Sequence, residues 1–114
     1  MATPAPLGDF EQLVLLALVR LGDRAYGIAI HSEIVERGGR DVTVAAVYKT
    51  LERLEDKGFA TSTLGEATAE RGGRRKKYFR IQPAGRRALR HALASLKRMS
   101  SGLAADLDLA TDES

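Results

Sequence analysis

The 114-residue sequence predicts a mainly α-helical fold with a small β-hairpin, followed by a long C-terminal helix. Apolar residues recur at helical spacing in three stretches between residues 9 and 58, and glycines separate these stretches. Residues 59–81 differ, because two short segments suited to strands flank a glycine-rich loop. Three short helices followed by a hairpin predict a winged helix-turn-helix, and the helix after the hairpin has a heptad repeat.

The first three helices are placed by their caps and apolar stripes. We expect the first helix to begin at Asp9, a good N-cap residue, and to be apolar on nearly all sides between Phe10 and Leu21. The second helix is predicted over Ala25–Arg37. The third follows Thr43, another good N-cap residue, and ends at Gly58. The third helix has its core stripe at Val44, Val47, Leu51 and Leu54.

The hairpin and the last helix follow. Strands are predicted over Phe59–Leu64 and Lys77–Ile81, and a helix of about 33 Å over Ala84–Ala105. Apolar residues of that helix step by four and three residues, which predicts a homodimer, because a small monomer has little core to cover them. The alternative is that the helix folds back on the Phe10–Leu21 helix of its own chain. The predicted dimer interface comprises Phe10, Leu13, Leu16, Leu89, Leu93, Leu96 and Leu103.

The chain is thus divided into four parts. We expect a flexible N-terminal arm at residues 1–8, a winged helix domain at 9–82, a dimerisation helix at 83–107 and an acidic disordered tail at 108–114. The sequence has no apolar run that could span a membrane and no secretory signal, and it has no cysteine. These features permit a cytoplasmic protein and exclude disulfides and thiolate metal sites.

Charge is distributed unevenly along the chain. Residues 71–98 contain eleven Arg or Lys and no Asp or Glu, whereas the last nine residues contain four acids and no base. This asymmetry favours a polyanion as a partner, and the alternative is a solvated basic helix face.

The third helix is the predicted reader of double-stranded DNA. Small residues near its N-terminus allow close approach to the major groove, and basic residues follow one turn later. Tyr48 could instead pack against Phe59 or Val44, and Arg53 could pair with Asp56 or Glu52. The predicted contacts on and beside this helix are Thr43, Ala45, Ala46, Tyr48, Lys49, Thr50 and Arg53.

The hairpin loop and its return strand form the second predicted DNA contact. A basic glycine-bearing loop beside a helix-turn-helix can lie along phosphates or enter the minor groove. Its predicted contacts are Arg71, Arg74, Arg75, Lys76 and Lys77. Catalysis is not expected, because His31 and His91 lie on different helices and no metal-ligand spacing is present. We predict no cofactor.

Several motifs, in order, resemble the PadR family of transcriptional regulators. They are Leu13-Val-Leu-Leu-Ala-Leu, Tyr26-Gly27-Ile28, Val47-Tyr48-Lys49-Thr50-Leu51-Glu52-Arg53-Leu54, Gly73-Arg74-Arg75-Lys76-Lys77-Tyr78-Phe79-Arg80-Ile81 and Pro83-Ala84-Gly85-Arg86-Arg87-Ala88-Leu89. The resemblance implies a homodimeric winged helix-turn-helix protein, usually a repressor, that binds an inverted repeat. It implies dimerisation between the C-terminal helix and the partner's first helix. It also places Thr43, Ala45, Ala46, Tyr48, Lys49 and the wing arginines on the DNA side.

The chain departs from the family pattern in two ways. Gln82 stands where the family commonly has a threonine that caps the last helix, and no tryptophan is present to build an aromatic drug-binding slot. A small molecule or another signal often relieves repression in this family, so the resemblance allows a small-molecule effector and does not identify one. Two further functions stay open: a protein-interaction module with a winged-helix shape, and a sensor with a pocket at the dimer interface between Leu13–Leu21 and Leu89–Leu103.

Overall fold

The computed structural model describes residues 7–65 and 76–109. Within these residues the chain forms helices, a two-stranded antiparallel hairpin and one short 3-10 turn, Gly22–Arg24. This confirms the predicted fold class. The elements in chain order are α1 (Asp9–Leu21), α2 (Gly27–Glu36), α3 (Val44–Asp56), β1 (Ala60–Leu64), β2 (Lys77–Ile81) and α4 (Pro83–Ser100).

One apolar core lies between α1, α2, α3 and the hairpin. The second strand alternates as predicted, with Phe79 and Ile81 buried and Arg80 exposed. Core side chains on the helices recur at intervals of three and four residues, which is the spacing of one helix face. The helical members of the core are Val14, Leu15, Ala17, Leu18, Ile30, Ile34, Val47, Leu51, Leu54, Ala88 and Leu89.

The start of α1 differs from the prediction by one residue. Gly8, and not Asp9, is the N-cap, and its backbone N–H donates to Glu11 Oε1 at 2.9 Å. Asp9 instead accepts a hydrogen bond from Arg40 at 2.8 Å. An acidic side chain at the third position of a helix can accept from the N–H of the capping residue, as Glu11 does here, whereas no side chain caps the N–H groups that Asp9 was expected to satisfy. The prediction for α3 is confirmed, because Thr43 Oγ1 accepts from Ala46 N at 3.0 Å.

The connection between α1 and α2 forms a backbone hydrogen bond with the edge of β2 that does not pair with β1. Ala60 pairs with Ile81 and Leu64 with Lys77 at the two ends of the ladder. On the other edge of β2, the backbone N–H of Phe79 donates to Ala25 O at 2.8 Å. This bond attaches the hairpin to the helical core.

The last helix is shorter than predicted. It begins at Pro83 without a side-chain cap from Gln82, and it ends at Ser100, not at Ala105. Gly102 has φ +81°, a left-handed conformation that turns the chain away from the helix axis. Leu103 and Leu107 therefore lie beyond the helix.

The two halves of α4 have different environments. Ala88 and Leu89 are buried in the chain's own core, whereas Leu96 and Met99 are exposed. The first half of α4 packs on α1 of its own chain, as the fold-back alternative predicted. The second half of α4 stays exposed. Across residues 7–65 and 76–109, no helix has the length and apolar character needed to cross a membrane.

Candidate nucleic-acid interface

The outward face of α3 carries small and basic side chains. Ala45, Lys49 and Arg53 are exposed and lie one turn apart, and Ala46 is half-buried beside them. In the part of the chain that the structure describes, Lys49 and Arg53 form no salt bridge, so the predicted pairing of Arg53 with Asp56 or Glu52 is absent there. Thr43 is also exposed, at the start of this face. The helix thus presents two positive charges to solvent.

Thr50 does not belong to this face, and its prediction as a DNA contact is wrong. Its side chain is only 2% exposed. Thr50 lies three residues after Val47 and four before Leu54, which places it on the core side of α3. A buried hydroxyl cannot reach a phosphate, so Thr50 stabilises the packing of α3 instead of contacting a ligand.

Tyr48 lies between the core and the surface. It remains 39% exposed, and its ring meets the ring of Phe79 edge-on, with centroids 6.4 Å apart. The partner is thus Phe79, not the Phe59 or Val44 considered from the sequence. A Cβ added at Gly27 would overlap the Tyr48 hydroxyl and ring, so glycine lets the start of α2 touch Tyr48. Sequence reasoning missed this contact, although Tyr26-Gly27 and Tyr48 all belong to the quoted motifs.

The connection before α3 is fixed by His31. Its Nε2 lies 2.7 Å from Val42 O. Since a carbonyl oxygen only accepts, Nε2 donates this bond. The bond joins α2 to the residue that precedes the Thr43 cap, and so it positions the N-terminus of α3. This role was not predictable from local sequence patterns, because Val42 is eleven residues from His31.

The base of the hairpin carries two further predicted contacts. Lys76 Nζ lies 4.3 Å from the centroid of the Tyr26 ring, which is a cation–π distance. Lys77 Nζ lies 4.0 Å from Glu55 Oε1, so this acid partly offsets its charge. Both lysines are exposed. The predicted contacts Arg71, Arg74 and Arg75 lie outside the described residues.

Two ion pairs hold α1 to the ends of the α3 region. Lys57 Nζ lies 2.8 Å from Glu11 Oε2, and Arg40 lies 2.8 Å from Asp9. Burial raises the pKa of Glu11, but the hydrogen bonds from Lys57 and Gly8, with the charges of Lys57 and Arg53, together lower it more, so this pKa lies below its ordinary value of 4.5. The hydrogen bond and charge of Arg40 similarly lower the pKa of Asp9. Both carboxylates stay charged at neutral pH and fix the position of α1.

The model of the transcriptional regulator PadR-like family matches residues 15–91, which is more than half of the 114 residues. The chain belongs to the PadR-like family. Members of this family are transcriptional regulators and not enzymes. No protein of curated function is similar enough in sequence to count as a relative. The matched residues extend from α1 to the first half of α4 and include the whole outward face of α3.

Solved structures of PadR-family regulators share this fold. One from Clostridium difficile superposes with a TM-score of 0.72 at 23% identity, over 88% of this chain and 99% of that chain. Another from Eggerthella lenta has a TM-score of 0.65 at 27% identity, over 87% of this chain and 84% of that chain. Bacillus subtilis PadR, in complex with operator DNA, has a TM-score of 0.63 at 24% identity, over 74% of this chain and 46% of that chain.

The residues predicted for the dimer interface of this PadR-family chain fall into three environments. Phe10, Leu13 and Leu16 on α1 are half-buried, and Leu93, Leu96 and Leu103 are exposed. Leu89 is only 6% exposed in the single chain. Leu89 therefore belongs to the chain's own core, and a partner could reach it only at the edge.

The structure also has a groove beside α1, but α4 does not line it. The groove has a volume of about 200 Å³ and lies between α1 and α2. The predicted sensor pocket between α1 and α4 belongs to a dimer interface, so it stays a prediction.

Proposed function

We propose that this PadR-family chain is a sequence-specific regulator of double-stranded DNA, a homodimeric repressor that binds an inverted-repeat operator in the cytoplasm. The observation that carries the proposal is the outward face of α3. Two cations without a described acidic partner, Lys49 and Arg53, follow the small residues Ala45 and Ala46 on one exposed helix surface.

The geometry of α3 suits the major groove. A groove about 12 Å wide admits one helix, and small side chains at its N-terminal end let the backbone approach the base edges. Lys49 then reaches a guanine edge or a phosphate, and Arg53, one turn later, lies over the backbone. Tyr48 packs against Phe79 with its hydroxyl end at Gly27, and the residue stays 39% exposed beside this face.

The hairpin supplies the second contact in this proposal. Lys76 and Lys77 lie exposed at its base, and the predicted wing arginines Arg71, Arg74 and Arg75 precede them in sequence. Arginine in a narrow minor groove is favoured by the negative potential there. The operator complex of Bacillus subtilis PadR supports DNA as the ligand for this fold.

The second half of α4 supports the homodimer. Leu93, Leu96 and Met99 are exposed on one helix, and Phe10, Leu13 and Leu16 are only half-buried on α1. In a two-fold symmetric dimer, α4 of each copy would pack on α1 of the other, so the same contact occurs twice and buries both sets of side chains. Release of the operator by a small-molecule effector is a further part of the proposal, and it is drawn from the family resemblance.

Fluorescence anisotropy on the DNA upstream of the chain's own coding sequence tests the proposal. We expect Lys49→Ala to lower affinity about tenfold or more, since a lysine at a base edge or phosphate is lost from both subunits. If Lys49 contacts phosphate, the negative slope of log affinity against log salt becomes less steep by about 0.9 for each lost contact.

Lys97→Ala is the matched control, because Lys97 is an exposed lysine on α4. Wild-type binding that is equally strong on unrelated DNA contradicts specific regulation. Equal affinity of the Lys49→Ala and Lys97→Ala variants contradicts α3 as the reader, whereas a wild-type chain that binds no DNA favours the protein-interaction module.

A further inference from the structure

We infer that the segment beyond α4, residues 103–109, docks into the groove between α1 and α2 of a second copy of this chain. The inference rests on the proposed homodimer and adds a contact outside the α4 helix. We call this segment the C-terminal turn and the receiving surface the α1–α2 groove.

The C-terminal turn is folded but uncovered. The backbone N–H of Leu107 donates to Leu103 O at 3.0 Å, and that of Leu109 donates to Ala104 O at 2.9 Å. Leu103 and Leu107 are therefore one helical turn apart and share a side. These two and Leu109 are 40–55% exposed. Because the segment is already folded, a partner that covers its three exposed leucines would cause little further loss of conformational entropy.

The α1–α2 groove has matching properties. Leu13, Leu16, Ala17 and Ile34 give it an apolar lining, and the charged residues at its rim are Arg20, Glu33 and Arg37. Its volume of about 200 Å³ is below the roughly 300–1,000 Å³ of small-molecule sites. It fits apolar side chains better than it fits a drug-sized ligand.

The charges of the C-terminal turn are complementary to those of the α1–α2 groove. Asp106 and Asp108 lie among its leucines and are exposed. Arg20 forms no salt bridge with any residue of 7–65 or 76–109, whereas Arg37 pairs with Glu33 at 3.0 Å. The rim thus has an excess of positive charge, and the turn has two negative charges beside the side chains that would fill the groove.

The length of α4 indicates that the occupant comes from another copy. Leu89 is the last buried residue of α4 in its own core, and Ser100 lies eleven residues further on, about 16 Å along the helix. An unbroken helix therefore carries the C-terminal turn away from its own domain. In a two-fold dimer, each copy would insert its turn into the groove of the other.

Disulfide trapping tests this contact directly, because the natural chain has no cysteine. One preparation carries Leu16→Cys in the groove and the other carries Leu107→Cys in the turn. The two are mixed, allowed to exchange subunits and oxidised. We expect a covalent heterodimer, since bridged cysteines need Cα atoms within about 7 Å. Ile28→Cys, exposed on α2 outside the groove, replaces Leu16→Cys in the control mixture.

A charge exchange provides the second measurement. We expect Arg20→Asp and Asp106→Arg each to raise the dimer dissociation constant, by about two- to fivefold, and the combined variant to recover most of the loss. Absence of the Leu16–Leu107 cross-link, or an equal yield with Ile28→Cys, overturns the docking. Light scattering on the wild-type chain separates the two proposals: a dimer without the cross-link refutes only the docking, and a monomer refutes the homodimer as well.

Discussion

Glu11 connects three parts of the molecule at the level of a single residue. Its carboxylate accepts from Gly8 at the start of α1 and from Lys57 just after α3. It is 8% exposed, and a nearly buried carboxylate is tolerated only when hydrogen bonds satisfy it. Glu11 therefore fixes α1, which supplies part of the proposed dimer surface, against the end of the proposed reading helix.

Replacement of this carboxylate should be costly. We expect Glu11→Gln to lower the free energy of unfolding by about 1–2 kcal/mol, because hydrogen bonds to a charged group are lost and Lys57 keeps its charge. Chemical denaturation at neutral pH measures the change. Asp9→Asn is the matched control and should have a smaller effect, because Asp9 and Arg40 are exposed. An equal effect of the two variants would contradict the role given to Glu11.

The same carboxylate predicts a dependence on pH. The folded-state pKa of Glu11 lies below its ordinary value of 4.5, so its stabilising contribution is complete above that value. The contribution is lost as the pH falls through the lower folded-state pKa. The difference in unfolding free energy between wild type and Glu11→Gln should therefore be constant near neutral pH and shrink below about pH 4.5. A difference that grows on acidification contradicts this assignment.

At the scale of elements, the crossing of α2 and α3 depends on close contact between Gly27 and Tyr48. The Tyr48 ring lies where a side chain at Gly27 would be, and Phe79 borders it on another side. We expect Gly27→Ala to destabilise the protein by about 1–3 kcal/mol, because the ring is forced from its site.

A double-mutant cycle measures this coupling. In a Tyr48→Ala background the obstacle is gone, and Gly27→Ala should become neutral or stabilising by up to about 1 kcal/mol, as alanine is the better helix former. Both comparisons are made by thermal or chemical unfolding. Additive effects of the two substitutions would show that Gly27 does not depend on Tyr48.

Local patterns predicted most of these elements. The helix period, the Thr43 cap and the alternation in β2 involve residues close in sequence, so they are visible without the fold. Contacts between distant residues were not predictable in this way: Glu11 and Lys57 are 46 residues apart, and the Tyr48–Phe79 contact joins α3 to β2. Thr50 was misplaced because it lies beside the core stripe, where a small rotation of the helix decides burial.

The end of α4 was missed for a related reason. The leucine repeat continues through Leu103 and Leu107, but the backbone leaves the helical conformation at Ser101, with ψ 130°, and the left-handed Gly102 follows. A repeat of apolar residues indicates which side chains would be buried from water. It does not show that the backbone stays helical between them. The termination at Ser100 gives the chain a separate C-terminal turn, which the heptad pattern alone would place within a longer helix.

At the scale of the whole molecule, the exposed half of α4 predicts self-association. We expect the wild-type chain to be a dimer by light scattering at micromolar concentration. Leu96→Glu should produce monomers, because a charge would be buried in the proposed interface. Arg98→Glu, on the opposite side of α4, is the control and should remain dimeric. A wild-type monomer, or a Leu96→Glu variant that still dimerises, would contradict the use of this face.

Footprinting on genomic DNA is the decisive measurement for an operator-binding dimer, since it reports both the target and its symmetry. We expect a protected site of two inverted half-sites with centres one helical turn apart, about 34 Å, where each half is covered by α3 of one subunit. Half-protection should need about tenfold or more protein with Lys49→Ala and the wild-type concentration with Lys97→Ala. Protection without two-fold symmetry, or no preferred site at any protein concentration, would contradict a dimeric operator-binding regulator.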